Sequence, residues 1–104
     1  MTSHYLVQLL LPKETGQGAR IPKDWFDELM KELTDKFGGA TSFVRAPGEG
    51  LWQSGSGAER DDFAVVEIMT DRLDTDYWRA LRERLERELE QEEIVIRAQE
   101  IIPL

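Results

Sequence analysis

Four polar residues interrupt apolar segments of the chain at positions where they could act together. Glu67 is a candidate general base and Arg97 a candidate anion-binding residue, each within a segment that is otherwise largely apolar. Gln8 interrupts a third apolar segment, and His4, the single histidine, is a second candidate base. The simplest alternative is that Arg97 and Glu67 merely pair with each other, within one chain or across a dimer. Either role requires secondary structure that brings these residues together.

Other chemical motifs fail on spacing. The acidic residues of segment 71–76 do not form a calcium loop, because the twelfth position counted from Asp71 is Arg82 instead of a glutamate. Capping of a helix explains these acids better. Neither glycine-rich segment, 16–18 or 55–57, continues as a nucleotide-binding fingerprint. The sequence therefore predicts no metal site and no cofactor.

Composition narrows the classes of partner. The chain has 104 residues, a formal net charge of −8 and no cysteine. An excess of acids disfavours the phosphate backbone of nucleic acids and anionic membrane surfaces, since both are bound mainly by lysine and arginine. No apolar run approaches the length of a membrane span, and no signal-peptide pattern opens the sequence. We therefore expect a cytoplasmic protein whose partners are neither nucleic acid nor membrane.

Hydrophobic periodicity predicts six elements in the order β-α-β-β-α-β. Short apolar segments rich in β-branched and aromatic residues predict strands, and apolar stripes with helical spacing predict helices. Gly38-Gly39 is expected to end the first helix, and segment 13–20 is expected to be a mobile loop. The predicted elements are a strand over 4–11, a helix from Pro22 to Phe37, strands over 40–46 and 62–70, a helix carrying the stripe from Tyr77 to Leu89, and a strand over 93–102.

This order predicts a single ferredoxin-like α+β domain over residues 1–104. Its fold class would be a four-stranded antiparallel sheet with two helices on one face, and the first and third strands would be central. Between the second and third strands lies the glycine-rich loop 47–60, which is long for a hairpin connection and is expected to be functional or mobile. Trp52 in this loop is a candidate binding residue, unless it docks on the domain's own core.

Placing both helices on one face leaves the other face of the sheet open. Strand alternation predicts that this face is mostly apolar and is crossed by a polar row of Arg97, Gln8 and Glu67, with His4 and Arg45 towards its ends. An exposed apolar face of this size favours a homodimer that covers it. A pocket enclosed in such a dimer would have Glu67 or His4 to move a proton. The predicted ligand-binding residues are Gln8, Arg45, Trp52 and Arg97.

Three functions fit this pattern. The first is a homodimer, assembled through the open sheet face, with a pocket for a small ligand. The second is a cofactor-independent enzyme in which Glu67 or His4 is the base and Arg97 binds an anion. The third is an interaction module that presents the acidic segment from Asp74 to Glu92 to a basic partner.

Three segments carry a resemblance to known proteins. The segments Phe37-Gly38-Gly39-Ala40-Thr41, Arg45-Ala46-Pro47-x-x-Gly50-Leu51-Trp52 and Gln91-Glu92-Glu93-Ile94-Val95-Ile96-Arg97-Ala98 resemble a family of small uncharacterised bacterial proteins. That resemblance spans nearly the whole chain and implies a bacterial single-domain protein of ferredoxin-like architecture. The architecture is also similar to the dimeric α+β barrel proteins, which include small monooxygenases and isomerases. Neither resemblance implies a catalytic residue.

Overall fold

The computed structural model of the chain describes residues 4–38, 41–45 and 63–104, of which 41–45 and 63 are described by their backbone. Six elements follow one another along the chain. They are β1 (Tyr5–Pro12), α1 (Lys23–Phe37), β2 (Thr41–Arg45), β3 (Phe63–Thr70), α2 (Thr75–Glu88) and β4 (Val95–Glu100). Neither helix in this part of the chain is long and apolar enough to cross a membrane.

The strands form one antiparallel sheet in the order β2-β3-β1-β4. β1 lies between β3 and β4, and its residue Gln8 pairs with Glu67 on one side and with Arg97 on the other. β2 lies at the other edge and pairs with β3 from Thr41, opposite Glu67, onwards. This register aligns the residues of three strands in rows across the sheet, and the functional site depends on it.

The first helix has the ends that the sequence predicts. Pro22 stands at its N-cap in an extended conformation, where its missing N–H costs no hydrogen bond. Gly38 stands at the C-cap with a φ of 81°, and its N–H donates to the carbonyl of Thr34 at 2.7 Å. A left-handed residue at this position favours glycine because glycine has no Cβ to clash with the backbone.

The second helix begins at a side-chain cap and ends in a Schellman motif. The Asp74 carboxylate accepts the Tyr77 N–H at 3.1 Å. At the other end the N–H of Gln91 donates to Glu86 O at 3.0 Å, and the N–H of Glu90 donates to Arg87 O at 3.3 Å. Glu90 takes the left-handed position with a φ of 56°, where most proteins place glycine. The helix is therefore closed by a residue in a conformation that L-amino acids rarely adopt.

The core lies between the helices and the two central strands. Both helices contribute leucines from their apolar stripes, while β1 and β3 contribute alternate residues on the face toward the helices. An ion pair also joins the helices, in which both terminal nitrogens of Arg84 bind the Glu32 carboxylate at 2.8 and 3.2 Å. The buried members of the core are Val7, Leu9, Leu11, Ile21, Leu29, Leu33, Ala64, Val66, Ile68, Trp78, Leu81, Leu85, Leu89 and Ile94.

The predicted fold class, a ferredoxin-like four-stranded sheet with two helices on one face, needs correction. Side chains are fully described for three antiparallel strands, β3, β1 and β4, and only β1 and β3 of these contribute buried residues. Among the residues of this segment that alternate toward the helices, Ile94, just before β4, is buried, Ile96 is half-buried and Ala98 is exposed. The helices therefore bury β1 and β3, while α2 covers β4 only near its start, at Ile96. Alternation tells which residues share a face, but it does not tell what covers that face. The structure supports the broader class, an α+β fold.

The segment 13–20 is also different from the prediction of a mobile loop. Its ends pair through a bridge between Glu14 and Arg20, and the N–H of Gly16 donates to Leu89 O at 3.0 Å. The segment is thus a short turn fixed to the C-terminal end of α2. The two glycines of this segment predicted a loop, but the hydrogen bond to a residue more than 70 positions away, which holds it, is not visible in the sequence. The predicted loop 47–60, with Trp52, lies outside the described residues.

Candidate functional site

The face of the sheet opposite the helices carries three rows of side chains, which the register of β3, β1 and β4 defines. We call this the open face. The first row is apolar and consists of Val65, Leu10 and Val95. The middle row is polar and consists of Glu67, Gln8 and Arg97. The third row is mixed and consists of Met69, Leu6 and Gln99.

The middle row is a continuous chain of hydrogen bonds across three strands. Gln8 donates from Nε2 to Glu67 Oε2 at 2.7 Å, and it accepts at Oε1 from Arg97 Nε at 2.9 Å. The two charged neighbours require the same orientation of the Gln8 amide, with its NH₂ group toward the carboxylate and its oxygen toward the guanidinium. Bonds to charged groups are the stronger class of hydrogen bonds. We call this chain the polar row.

Each end of the polar row retains unused hydrogen-bonding capacity. Glu67 Oε1 has no hydrogen-bond partner among the described residues, and the same is true of the two terminal nitrogens of Arg97. Gln8 and Glu67 are half-buried, whereas Arg97 is exposed. The row therefore offers an acceptor at one end and a planar pair of donors at the other, separated by two strand spacings, or about 10 Å.

Apolar side chains flank the polar row on both sides. Met69 is 58% exposed and Val95 is 44% exposed, so two large apolar residues of this face remain open to solvent. Leu6 and Leu10 are half-buried between their cross-strand neighbours, and Val65 is buried. The prediction of a mostly apolar face crossed by Arg97, Gln8 and Glu67 therefore agrees with where these residues lie. Their roles in binding or catalysis stay a prediction.

The other predicted site residues do not join the polar row. His4 is exposed and lies four residues from Gln8, on the same face but about 13 Å along the strand. Arg45 pairs by register with Phe63, which is four residues from Glu67. Trp52 lies outside the described residues, so its predicted role has no structural counterpart here. Glu67 and His4 are therefore too far apart to act on the same proton.

Metal binding finds no support in the part of the chain that the structure describes. Within residues 4–38 and 63–104, no group of three or more histidine, aspartate or glutamate side chains converges on one point. Among the acids near the start of α2, Asp74 already accepts a backbone N–H as the cap of the helix. Glu67 is the only carboxylate of the polar row.

A second concave site lies on the opposite side of β4, and sequence analysis missed it. We call it the α2–β4 groove, a cavity of about 300 Å³ between the first half of α2 and the partly uncovered inner side of β4. Its sequence signal was weak, because it depends on α2 leaving part of β4 uncovered, which no periodicity reveals. The lining residues are Val7, Leu73, Thr75, Trp78, Arg79, Arg82, Ile96, Arg97 and Ala98.

The acids of α2 are less available than the acidic composition of segment 74–92 suggests. Glu86 accepts the backbone N–H of Ile94 at 2.9 Å, and Glu88 accepts the Trp25 indole N–H at 3.1 Å. Glu88 also lies 3.5 Å from Arg84. These contacts use the carboxylates to hold α2 against β4 and α1. The hypothesis of an acidic helix that binds a basic partner therefore loses two of its charged groups to internal contacts.

Comparison with known proteins supports the fold and leaves the function open. No protein-family model matches the chain, and no curated protein matches it either. A solved structure described as a phage SAM lyase in complex with S-methyl-5'-thioadenosine has a TM-score of 0.64 to this chain. The likeness covers 96% of this chain and 83% of the lyase, at 12% sequence identity. At this identity the likeness concerns the fold alone, which is shared by a protein that binds a small ligand.

Proposed function

We propose that the protein is a homodimeric small-ligand-binding protein in which the open faces of two copies meet and the polar row contacts the ligand between them. The observation that carries this proposal is the hydrogen-bonded row of Glu67, Gln8 and Arg97 in the middle of a face that is otherwise largely apolar. Polar groups fixed at defined positions within an apolar surface are typical of ligand sites. The predicted cytoplasmic location belongs to the same proposal.

The charges of the polar row favour a second copy of this chain as the partner. One end of the row is a carboxylate and the other is a guanidinium, with Gln8 at the centre. A two-fold axis that runs between two facing sheets, parallel to β1, exchanges the two ends. Glu67 of each copy then faces Arg97 of the other, and Gln8 faces Gln8. The row is therefore complementary to itself in this arrangement.

The apolar rows obey the same symmetry. The axis parallel to β1 places Leu10 opposite Leu10 of the other copy and exposed Val95 opposite Val65, which is already buried within its own chain. Two sheets that pack face to face are about 10 Å apart, which lets such side chains interdigitate. An apolar face that contains exposed Met69 is stabilised by this burial. Charge and hydrophobicity thus select the same dimer.

A charge exchange tests this arrangement. Glu67→Arg or Arg97→Glu alone places like charges opposite each other across the two-fold axis. The double variant Glu67→Arg/Arg97→Glu restores opposite charges, and Gln8 satisfies both neighbours after a flip of its amide. Light scattering after size exclusion should give twice 12.0 kDa for the native protein and for the double variant, and 12.0 kDa for each single variant.

Glu100→Arg is the matched control, since it changes the charge of β4 by the same amount on the opposite face. This variant should remain a dimer. A native protein of 12.0 kDa at all concentrations contradicts the proposed dimer, as do single variants that both stay dimeric. Circular dichroism of every variant verifies that a change in mass does not come from unfolding.

Ligand binding is tested by calorimetry, with S-methyl-5'-thioadenosine as the first ligand because the similar structure holds it. We expect saturable binding to the native protein that weakens about tenfold in Gln8→Leu, which removes the centre of the polar row. Glu100→Gln, on the opposite face of β4, should bind normally. The absence of binding together with a monomeric native protein would contradict the proposed function.

In the enzymatic alternative Glu67 is the base, and its Oε1 has no hydrogen-bond partner among the described residues. The fold shared with a SAM lyase favours testing SAM as the substrate. Mass spectrometry of SAM incubated with the protein should show its consumption, and Glu67→Gln should abolish it. Unchanged SAM in the presence of native protein that binds a ligand favours the binding function over the enzymatic one.

A further inference from the structure

A hydrogen bond joins α2 to the start of β4 near the α2–β4 groove. Glu86 of α2 accepts the backbone N–H of Ile94, which precedes β4, at 2.9 Å. This bond holds the second half of α2 close to the start of β4. Toward the other end, α2 and β4 are separated by small Ala98 and half-buried Ile96, and the groove opens there. Arg82 and Ile96, each close in sequence to one partner of this bond, line the groove.

The floor of the groove is apolar, and its wall on α2 is basic. Val7, Trp78 and Ile96 form the floor. Arg79 and Arg82 are three residues apart on α2, so that they lie on the same side of the helix. No aspartate or glutamate is among the residues that line the groove, although the chain has a net charge of −8. A concentration of positive charge in so acidic a protein attracts an anion.

The two arginines have donors to spare. Arg82 faces Glu86 through its Nε at 3.8 Å, which is too long for a hydrogen bond, and the pair leaves its terminal nitrogens open. Arg79 is exposed and has no ion pair among the described residues. Arg97 also lines the groove, but its Nε is already bound to Gln8 on the open face. The anion-binding capacity of the groove thus rests on Arg79 and Arg82.

One residue that lines the groove, Trp78, has a buried N–H donor that no described residue accepts. Trp78 is 6% exposed, and its indole Nε1–H has no hydrogen-bond partner among the described residues. Buried polar groups are nearly always paired, so an unpaired donor in a residue that lines a cavity is a place where a bound ligand can supply the acceptor. An oxygen atom of a bound anion is such an acceptor.

We propose that the α2–β4 groove binds a small amphipathic anion, with its charged group at Arg79 and Arg82 and a short hydrocarbon part over Val7, Ile96 and Trp78. The volume of about 300 Å³ limits the ligand to a small molecule, since ligand pockets run from about 300 to 1,000 Å³. The charged group is a carboxylate or a phosphate, both of which arginine recognises through paired donors. This site shares Arg97 with the polar row but takes its anion-binding donors from α2.

The test is a titration of the ¹⁵N-labelled full chain followed by NMR. The indole N–H signal of Trp78 reports on the site. The indole N–H signal of Trp25, which donates to Glu88, is the internal reference. Hexanoate and hexyl phosphate are the amphipathic ligands, and hexanol and inorganic phosphate each present one half of the chemistry. We expect a saturable shift of the Trp78 signal with at least one amphipathic anion, and binding at least tenfold weaker with hexanol and with inorganic phosphate. The better of the two anions identifies the charged group.

Substitutions separate this site from the rest of the molecule. Arg79→Gln/Arg82→Gln should weaken binding of the anion about tenfold or more, whereas Arg87→Gln, later in the same helix and outside the groove, should not change it. Gln8→Leu should also leave it unchanged, so that failure of this site and failure of the polar row are distinguishable. The proposal is overturned if neither anion shifts Trp78, if hexanol binds as tightly, or if Arg87→Gln weakens binding as much as the double variant.

Discussion

Gln8 donates to Glu67 across the β1–β3 pair at 2.7 Å and, through its other end, accepts from Arg97. One neutral side chain thereby links two charges that are too far apart to pair directly. Gln8→Leu should lower the free energy of unfolding by about 1–2 kcal/mol, because both charged neighbours lose a hydrogen bond. Urea denaturation measures this loss. Gln99→Leu is the control on the same face, and a loss as large in that variant would show that the effect is not due to the row.

The bond from the Ile94 N–H to the Glu86 carboxylate should stabilise the start of β4. Glu86→Ala should cost about 1–2 kcal/mol, since it leaves a half-buried N–H without its charged acceptor. Glu86→Gln retains an acceptor oxygen and should cost less. Hydrogen exchange of the Ile94 amide should accelerate in the alanine variant. Exposed Glu83 lies on the same helix, and Glu83→Ala should leave that amide protected.

Two glycines of the turn at 13–20 should respond differently to alanine. A Cβ at Gly16 would collide with the backbone carbonyl oxygen of Glu90, and the turn must move away from α2 to relieve the clash. Gly18 has open space around it, so its cost comes from a φ of 87° and amounts to about 1 kcal/mol. Thermal denaturation should show Gly16→Ala to be the less stable variant. The reverse order would contradict the packing of the turn on the helix.

Glu90 offers a site for stabilisation. It is the residue with a φ of 56° in the Schellman motif that ends α2. Glu90→Gly should raise the free energy of unfolding by about 0.5–1 kcal/mol, because relief of the left-handed strain exceeds the added entropy of the unfolded chain. Glu92→Gly, at an exposed position beyond the motif, is the comparison. A loss of stability in Glu90→Gly would mean that the helix does not end in this way in solution.

Tyr77 should make the protein sensitive to alkaline pH. Burial of the phenol raises its pKa above the ordinary value of 10.0, and the nearby Glu32 carboxylate adds to the effect, while Arg84 opposes it. A group whose pKa is raised on folding holds its proton more tightly in the folded state. Above pH 10.0 the unfolded chain therefore loses this proton first, and stability falls as the pH rises.

Tyr77→Phe removes this contribution. At neutral pH the variant should be at least as stable as the native protein, because the buried Tyr77 hydroxyl has no hydrogen-bond partner in the described part of the chain. Above pH 10.0 its advantage should grow as the pH rises. The urea midpoints of the variant and the native protein, measured at neutral pH and above pH 10.0, provide the comparison. An advantage that shrinks above pH 10.0 would contradict the raised pKa.

Much of the local structure follows from the sequence alone. Pro22 and Gly38 delimit α1 because their backbone preferences suit the two ends of a helix. The alternation in β1, β3 and β4 put Gln8, Glu67 and Arg97 on one face, since side chains of a strand point to opposite sides with a period of two. These are local rules, in which a residue's own chemistry and its near neighbours decide the outcome.

The tertiary structure decided everything that depends on distance between segments. Only the register aligned Glu67, Gln8 and Arg97 in one row, while the same register kept Arg45 away from Glu67. Only the packing of α2 left part of β4 exposed and created a groove beside Trp78. Register and coverage arise from contacts between residues that are far apart in the chain. Periodicity within one segment carries no record of those contacts, and for that reason the sequence predicted the faces of the strands and not what covers them.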